Sequence, residues 1–147
     1  MKKISKNIKE TGEIAKIFME NIFKDSAQGD AALVVGLSGD LGAGKTTFMQ
    51  AVAKHLGIKN KVRSPTFVII KSYKLKAKNY KLLFHIDAYR LKDENELLSL
   101  GWQEIIKNEK HLVFVEWPEN VSKIIPSHSK FIHISEDKGG NKRFELK

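Results

Sequence analysis

Eight consecutive residues, Gly39-Asp40-Leu41-Gly42-Ala43-Gly44-Lys45-Thr46, constrain this chain more than any other stretch. They satisfy G-x-x-x-x-G-K-[ST], the phosphate-binding loop pattern, at every required position. Gly39 and Gly44 can take backbone angles closed to other residues and let the main chain approach an anion. Successive N–H groups then face inward around phosphates, helped by the positive end of the helix that follows. In such a loop Lys45 reaches the β and γ phosphates and the Thr46 hydroxyl ligates Mg²⁺. The pattern needs a strand before it and a helix after it. Leu33-Val34-Val35-Gly36-Leu37 is a β-branched apolar run suited to a buried parallel strand. Phe48, Ala51, Val52 and Leu56 then recur at helical spacing, and Gly57 fits a helix stop.

A chain of 147 residues suffices for one domain with a real core, spanning 1–147. The absence of cysteine excludes a disulfide framework and thiolate metal sites. The start, Met1-Lys2-Lys3-Ile4-Ser5, lacks the long apolar run of a secretory signal, and no stretch is long enough to span a membrane. A cytoplasmic protein is the simple expectation. The net charge of +9 favours a polyanionic partner. Most of it is lysine spread along the whole length, which a solvated surface explains equally well.

Taken in order, Ile8, Ile14, Ile17, Phe18, Ile22 and Phe23 mark an amphipathic helix from about Glu10 to Lys24, with Thr11 placed to cap it. Val68-Ile69-Ile70 reads as a strand, and Lys71 to Lys81 as an exposed β-hairpin. Leu82-Leu83-Phe84-His85-Ile86-Asp87 and His111-Leu112-Val113-Phe114-Val115-Glu116 are two strands, each ending in an acid. Between them Asp93 to Lys107 reads as one helix containing Gly101. Phe131 to Ile134 and Arg143 to Leu146 look like strands around the turn Gly139-Gly140-Asn141. Alternating strands and helices predict an α/β fold of three layers, with a mixed, mainly parallel central sheet and a β-hairpin insertion.

Binding phosphate is the loop's part; hydrolysis needs a carboxylate on the Mg²⁺ side and a group that orients water. Ligands of open α/β sheets gather at the carboxyl ends of strands, where Asp87 and Glu116 both stand. Either acid could serve the metal and the other the water. Ser64-Pro65-Thr66 precedes a strand, and a Thr in such a loop can contact Mg²⁺ and the γ-phosphate, although a plain Ser-Pro turn explains it as well. His85 and Asp87 share a strand face, but without a third ligand nearby His85 reads as a packed or hydrogen-bonding histidine. Lys71, Lys74, Lys76, Lys78 and Lys81, with Tyr73 and Tyr80 among them, could hold RNA backbone and stack a base. The plainer reading is a solvated edge hairpin whose lysines discourage aggregation.

Together these blocks resemble the TsaE (YjeE) family. The resemblance rests on Gly39 to Thr47, Ser64-Pro65-Thr66-Phe67, His85-Ile86-Asp87-Ala88-Tyr89-Arg90-Leu91 and Val115-Glu116-Trp117-Pro118-Glu119. It covers about residues 8 to 135 and includes the segment Glu94 to Ile106 with Leu100-Gly101. The family consists of bacterial P-loop ATPases that assist formation of N6-threonylcarbamoyladenosine in tRNAs reading codons that begin with A. They do so by joining the TsaB–TsaD heterodimer, in which TsaD performs the transfer. The resemblance therefore implies ATP and Mg²⁺ as cofactors and ATP hydrolysis that is weak alone and dependent on the partner. It implies that Gly39, Asp40, Leu41, Gly42, Ala43, Gly44, Lys45, Thr46 and Thr47 hold the phosphates, that Thr46, Asp87 and Glu116 face the metal, and that Lys45, Asp87 and Glu116 are catalytic. Thr66 belongs to a switch-like loop, Trp117 lies near the nucleotide, and the stretch around Ile8 and Thr11 aligns with the family segment near adenine. The chain departs from the family in a short C-terminal end and an unusually basic Lys71–Lys81 hairpin, which bears on contact with tRNA.

Other functions fit a phosphate loop. A small-molecule kinase usually needs an Arg-bearing lid, and only Arg63, Arg90 and Arg143 are present. A guanine-nucleotide switch needs N-K-x-D, and Asn60-Lys61-Val62-Arg63 lacks the acid. A non-catalytic module would bind nucleotide only to order its surface; the paired strand-end acids argue otherwise.

Overall fold

The computed structural model describes residues 1–25, 29–59, 69–77 and 79–147. Its centre is β2 (Leu33–Ser38), whose apolar run is continuous because both faces are covered. Leu33, Val35 and Leu37 pack on one side of the sheet and Val34 on the other. The side lined by Leu33, Val35 and Leu37 carries α1 (Ile8–Asp25) and α2 (Lys45–His55). Helix α1 buries Ile14, Ala15, Phe18, Met19 and Ile22, a stripe of helical period. Phe18, Phe48 and Phe144 meet with ring centroids 5.3 to 6.5 Å apart and tie α1, α2 and the last strand together.

The seven strands are β1 (Lys2–Ser5), β2, β3 (Ile70–Ala77), β4 (Tyr80–Asp87), β5 (His111–Glu116), β6 (Lys130–Glu136) and β7 (Lys142–Leu146). Their order across the sheet is β1-β7-β6-β2-β5-β4-β3. The central neighbours β6, β2, β5 and β4 run parallel. The outer pairs β1–β7, β6–β7 and β3–β4 run antiparallel. This is the mixed sheet with a parallel centre that the sequence predicts, but the hairpin is longer than Lys71–Lys81. Edge strand β3 pairs along β4 from Ile70↔Ile86 to Ala77↔Tyr80, so the strand expected at Leu82–Asp87 is the hairpin's return arm. The opposite face carries α3 (Glu94–Leu98), α4 (Trp102–Ile106) and a 3₁₀ segment, Pro118–Ile124. There Trp102 is fully buried, and its indole N–H donates to the Ile124 carbonyl at 3.2 Å.

The structure corrects several expectations. The helix expected from Asp93 to Lys107 is two helices, because Gly101 takes φ +91° and no helix continues through that angle. Thr11 does not cap α1. Asn7 does, its side-chain oxygen accepting the Glu10 N–H at 2.9 Å. Thr11 lies one turn inside, buried against Ser5 with 2.7 Å between hydroxyl oxygens. Strand β1 was not anticipated; among the described strands it pairs with β7 at the edge of the sheet. Of Val68-Ile69-Ile70, only Ile70 is in a strand among the described residues. The tyrosines of the hairpin turn inward: Tyr73 and Tyr80 pack on the core, and Tyr80 stacks on Phe23 at 5.4 Å. Their partly buried rings cover the edge of the core, in keeping with the plainer reading of a lysine-bearing edge strand.

Candidate functional site

The loop between β2 and α2 is built as its sequence demands. Gly39 and Gly44 have φ of +148° and +108°, and Gly39 packs so tightly on β6 that a Cβ there would overlap the Ile134 carbonyl oxygen. Lys45 opens α2, and only 6% of it is exposed. Its Nζ donates to the carbonyl oxygens of Gly39 and Asp40 and lies 4.3 Å from the centre of the Trp117 ring. Burial holds this ammonium below its usual range, while the charges of Glu116 and Asp87 work against that.

Both strand-end acids converge on the lysine. Strands β4 and β5 are parallel and in register, with Asp87 opposite Glu116, so both side chains emerge on the same face at the carboxyl ends. Gly42, Gly44, Lys45, Thr46, Thr47, Asp87, Glu116 and Trp117 line one cleft of about 450 Å³, with Leu41, Tyr89 and Arg90 at its walls. Glu116 is 4% exposed and its Oε2 lies 2.5 Å from His85 Nε2. Asp87 is half-buried, and its Oδ1 accepts the Tyr89 N–H at 2.9 Å. Burial raises the Asp87 pKa above the usual carboxylate range, against the opposing effect of that hydrogen bond.

Two further features hold the acids in place. Trp117 takes φ +59°, and its N–H donates to the Leu37 carbonyl at 3.2 Å, fastening the end of β5 to β2. Its ring meets Tyr89 at 4.9 Å. Asn120 donates to the carbonyls of Ala88 and Tyr89 at 3.0 and 3.3 Å, joining the segments that follow Asp87 and Glu116.

A second cleft of about 200 Å³ shares Gly44 and Thr47 with the first. Ile8, Thr11 and Phe144 line it, together with Lys142, whose Nζ donates to the Gly42 carbonyl at 3.2 Å and pairs with Glu136 at 3.2 Å. Sequence reasoning missed Lys142, Asn120 and Tyr89. Lys142 is 100 residues from its partner Gly42, and no local pattern marks such a contact. Thr66 and the rest of Ser64-Pro65-Thr66-Phe67 lie outside the described residues. A cavity of about 520 Å³ opens at the other end of the sheet, beside Leu33, Tyr80 and Lys130. Those residues begin their strands, and that end carries none of the loop.

The donor set suits Mg²⁺. Thr46, Asp87 and Glu116 offer only oxygen, and Mg²⁺ is commonly held by one or two carboxylates plus phosphate oxygens and water. Among the described residues no group of three or more His, Asp or Glu forms an all-protein cage, so phosphate oxygens would complete the shell. Asp87 also gives a stability test. A folded-state pKa above the unfolded one means that ionised Asp87 opposes folding above that range and contributes nothing below the unfolded value. Asp87→Asn keeps the acceptor for Tyr89. It is expected to raise the melting temperature of the nucleotide-free protein by about 2 °C at pH 7. That gain should shrink as pH falls toward 4, which calorimetry at the two pH values would read.

The chain is similar to proteins of one family. The family described as "Threonylcarbamoyl adenosine biosynthesis protein TsaE" matches residues 5–144. A Rickettsia prowazekii protein named tRNA threonylcarbamoyladenosine biosynthesis protein TsaE is 36% identical over 118 residues, covering 80% of this chain and 74% of its own. The Bacillus subtilis protein of the same name is 43% identical over 93 residues, covering 63% of this chain and 55% of its own. The crystal structure of Bacillus subtilis YdiB superposes with a TM-score of 0.67 at 28% identity, covering 99% of this chain and 83% of that one. Among the described residues no helix is long and apolar enough to cross a membrane.

Proposed function

The chain belongs to the TsaE family, and from that membership we propose that it is the ATP-hydrolysing accessory protein of tRNA threonylcarbamoyladenosine formation. In this reading it acts beside TsaB–TsaD in the cytoplasm. The observation that carries the hydrolytic part is the meeting of Lys45, Asp87 and Glu116 in one cleft with the phosphate loop. Binding is the loop's work: N–H groups of residues 39 to 46 surround the phosphates at the start of α2. Lys45 exchanges the carbonyls of Gly39 and Asp40 for phosphate oxygens and offsets the charge that grows on the γ-phosphoryl oxygens. Trp117 covers the lysine and excludes water from it.

The two acids divide the remaining tasks. Glu116, fixed by His85, would hold Mg²⁺ together with Thr46. Asp87, made more basic by burial, orients the attacking water. Mg²⁺, when bound, supplies charge neutralisation on the β and γ phosphates. The smaller cleft beside Ile8, Thr11 and Phe144 takes the adenine end, since it continues the phosphate site at Gly44 and Thr47. Phosphate release from ATP, measured with and without TsaB–TsaD, tests the whole. Slow release alone and faster release with the partners is expected, and the double variant Lys45→Ala, Glu116→Ala should abolish both. Unchanged release by that variant would remove the hydrolytic reading.

A further inference from the structure

Granting the magnesium–nucleotide site above, we propose that His85 is a positioning residue that clamps the Glu116 carboxylate toward the metal side of the cleft and away from Lys45. The parallel register of β4 and β5 sets His85 opposite Phe114 and Asp87 opposite Glu116. His85 therefore lies one pleat below the acids and on their face. It is wholly buried, and its Nε2 is 2.5 Å from Glu116 Oε2. A carboxylate only accepts, so it is Nε2 that carries the proton shared with Glu116. Among the described residues nothing donates to buried Nδ1.

That unmet nitrogen costs stability, and leucine would fill the same space without the cost. What histidine adds is the proton held against Glu116. Glu116 needs such a hold, because glutamate turns about three side-chain bonds and Lys45, nearby, attracts it. A glutamate drawn onto that ammonium would compete with the triphosphate for it. Yet the described residues include no ion pair between Lys45 and Glu116; the lysine rests on loop carbonyls and the glutamate on the histidine. The two charges are kept apart before nucleotide arrives. Outer partners of metal ligands act in this way, and their removal typically weakens metal affinity tenfold to a hundredfold.

The test is calorimetric titration of a non-hydrolysable ATP analogue across a series of Mg²⁺ concentrations. His85→Leu is expected to raise the Mg²⁺ concentration needed for half-maximal tightening by about 10- to 100-fold. His85→Gln places an amide N–H near the Nε2 position and should stay within about threefold of the parent, whereas the shorter His85→Asn should behave like His85→Leu. The Gln–Asn pair carries the test if the leucine variant does not fold. In a Glu116→Gln background, His85→Leu should change the Mg²⁺ requirement no further. A normal Mg²⁺ requirement in His85→Asn overturns the proposal, and so does an undiminished effect in the Glu116→Gln background. If the parent protein shows no tightening by Mg²⁺, the magnesium–nucleotide site falls, and the clamp with it.

Discussion

Lys45→Ala is expected to lower ATP hydrolysis by about a hundredfold to a thousandfold while leaving the fold intact. The loss follows from what Lys45 would do at the phosphates: a preorganised cation aimed at growing negative charge is worth roughly this much, because it needs no reorganisation as that charge develops. The structure shows the preorganisation. Lys45 is 6% exposed, covered by Trp117 and set at the start of α2. Stability should change little, because burial of the ammonium opposes its favourable contacts with the loop carbonyls and the acids. Lys45→Arg sharpens the prediction. It keeps the charge, but its wider planar head does not fit between the Gly39 and Asp40 carbonyls and the Trp117 ring. A loss of at least tenfold is expected for it too. Phosphate release under steady-state conditions, with melting curves for both variants, would decide. Hydrolysis at the parent rate in Lys45→Ala would mean that turnover occurs elsewhere.

Gly39→Ala should be the most damaging glycine-to-alanine change in the loop. The new Cβ would overlap the Ile134 carbonyl oxygen, which is backbone of β6 and cannot rotate away. The φ of +148° adds strain for any residue with a side chain. A cost of about 3 to 4 kcal/mol is expected, near the upper end for point substitutions, and corresponds to a fall in melting temperature of roughly 10 °C for a chain of this size. Gly42→Ala is the control. Gly42 also has a positive φ, +79°, but nothing lies within 4 Å of the added atom, so the cost should be about 1 kcal/mol. The two variants share a loop, a substitution and a positive φ, and the largest difference between them is the β6 backbone that stands behind Gly39. Equal melting temperatures would mean that β6 does not brace the loop.

Much of this protein was legible in its sequence. The strand before the loop, the helix after it and the acids ending β4 and β5 all follow from patterns within a dozen residues, where periodicity and turn chemistry act. The last two strands were legible for the same reason, and so was a hairpin near Lys71–Lys81, though not that its return arm is β4 as far as Asp87. Legibility failed where a local preference is weak or overruled. Lys2–Ser5 offers no clean alternation, and it is a strand because β7 presents a paired edge to it. Thr11 has the composition of a cap, but Asn7 reaches the Glu10 N–H first and Thr11 is drawn inward by Ser5. Gly101 was noticed, yet only its φ of +91° makes it a break and not a tolerated residue.

By itself, then, the sequence determined a phosphate loop between a strand and a helix, an α/β sheet around it, and two acids at strand ends. Tertiary structure alone decided that those acids share a face with Lys45, because sheet order and register place β4 beside β5 and β5 beside β2. It alone brought His85 to Glu116 across 31 residues, and Lys142 to Gly42 across 100. The physical reason is range. Propensity and periodicity act over a turn or a strand, whereas hydrogen bonds, burial and charge act over a few ångströms between residues that only the folded chain makes neighbours.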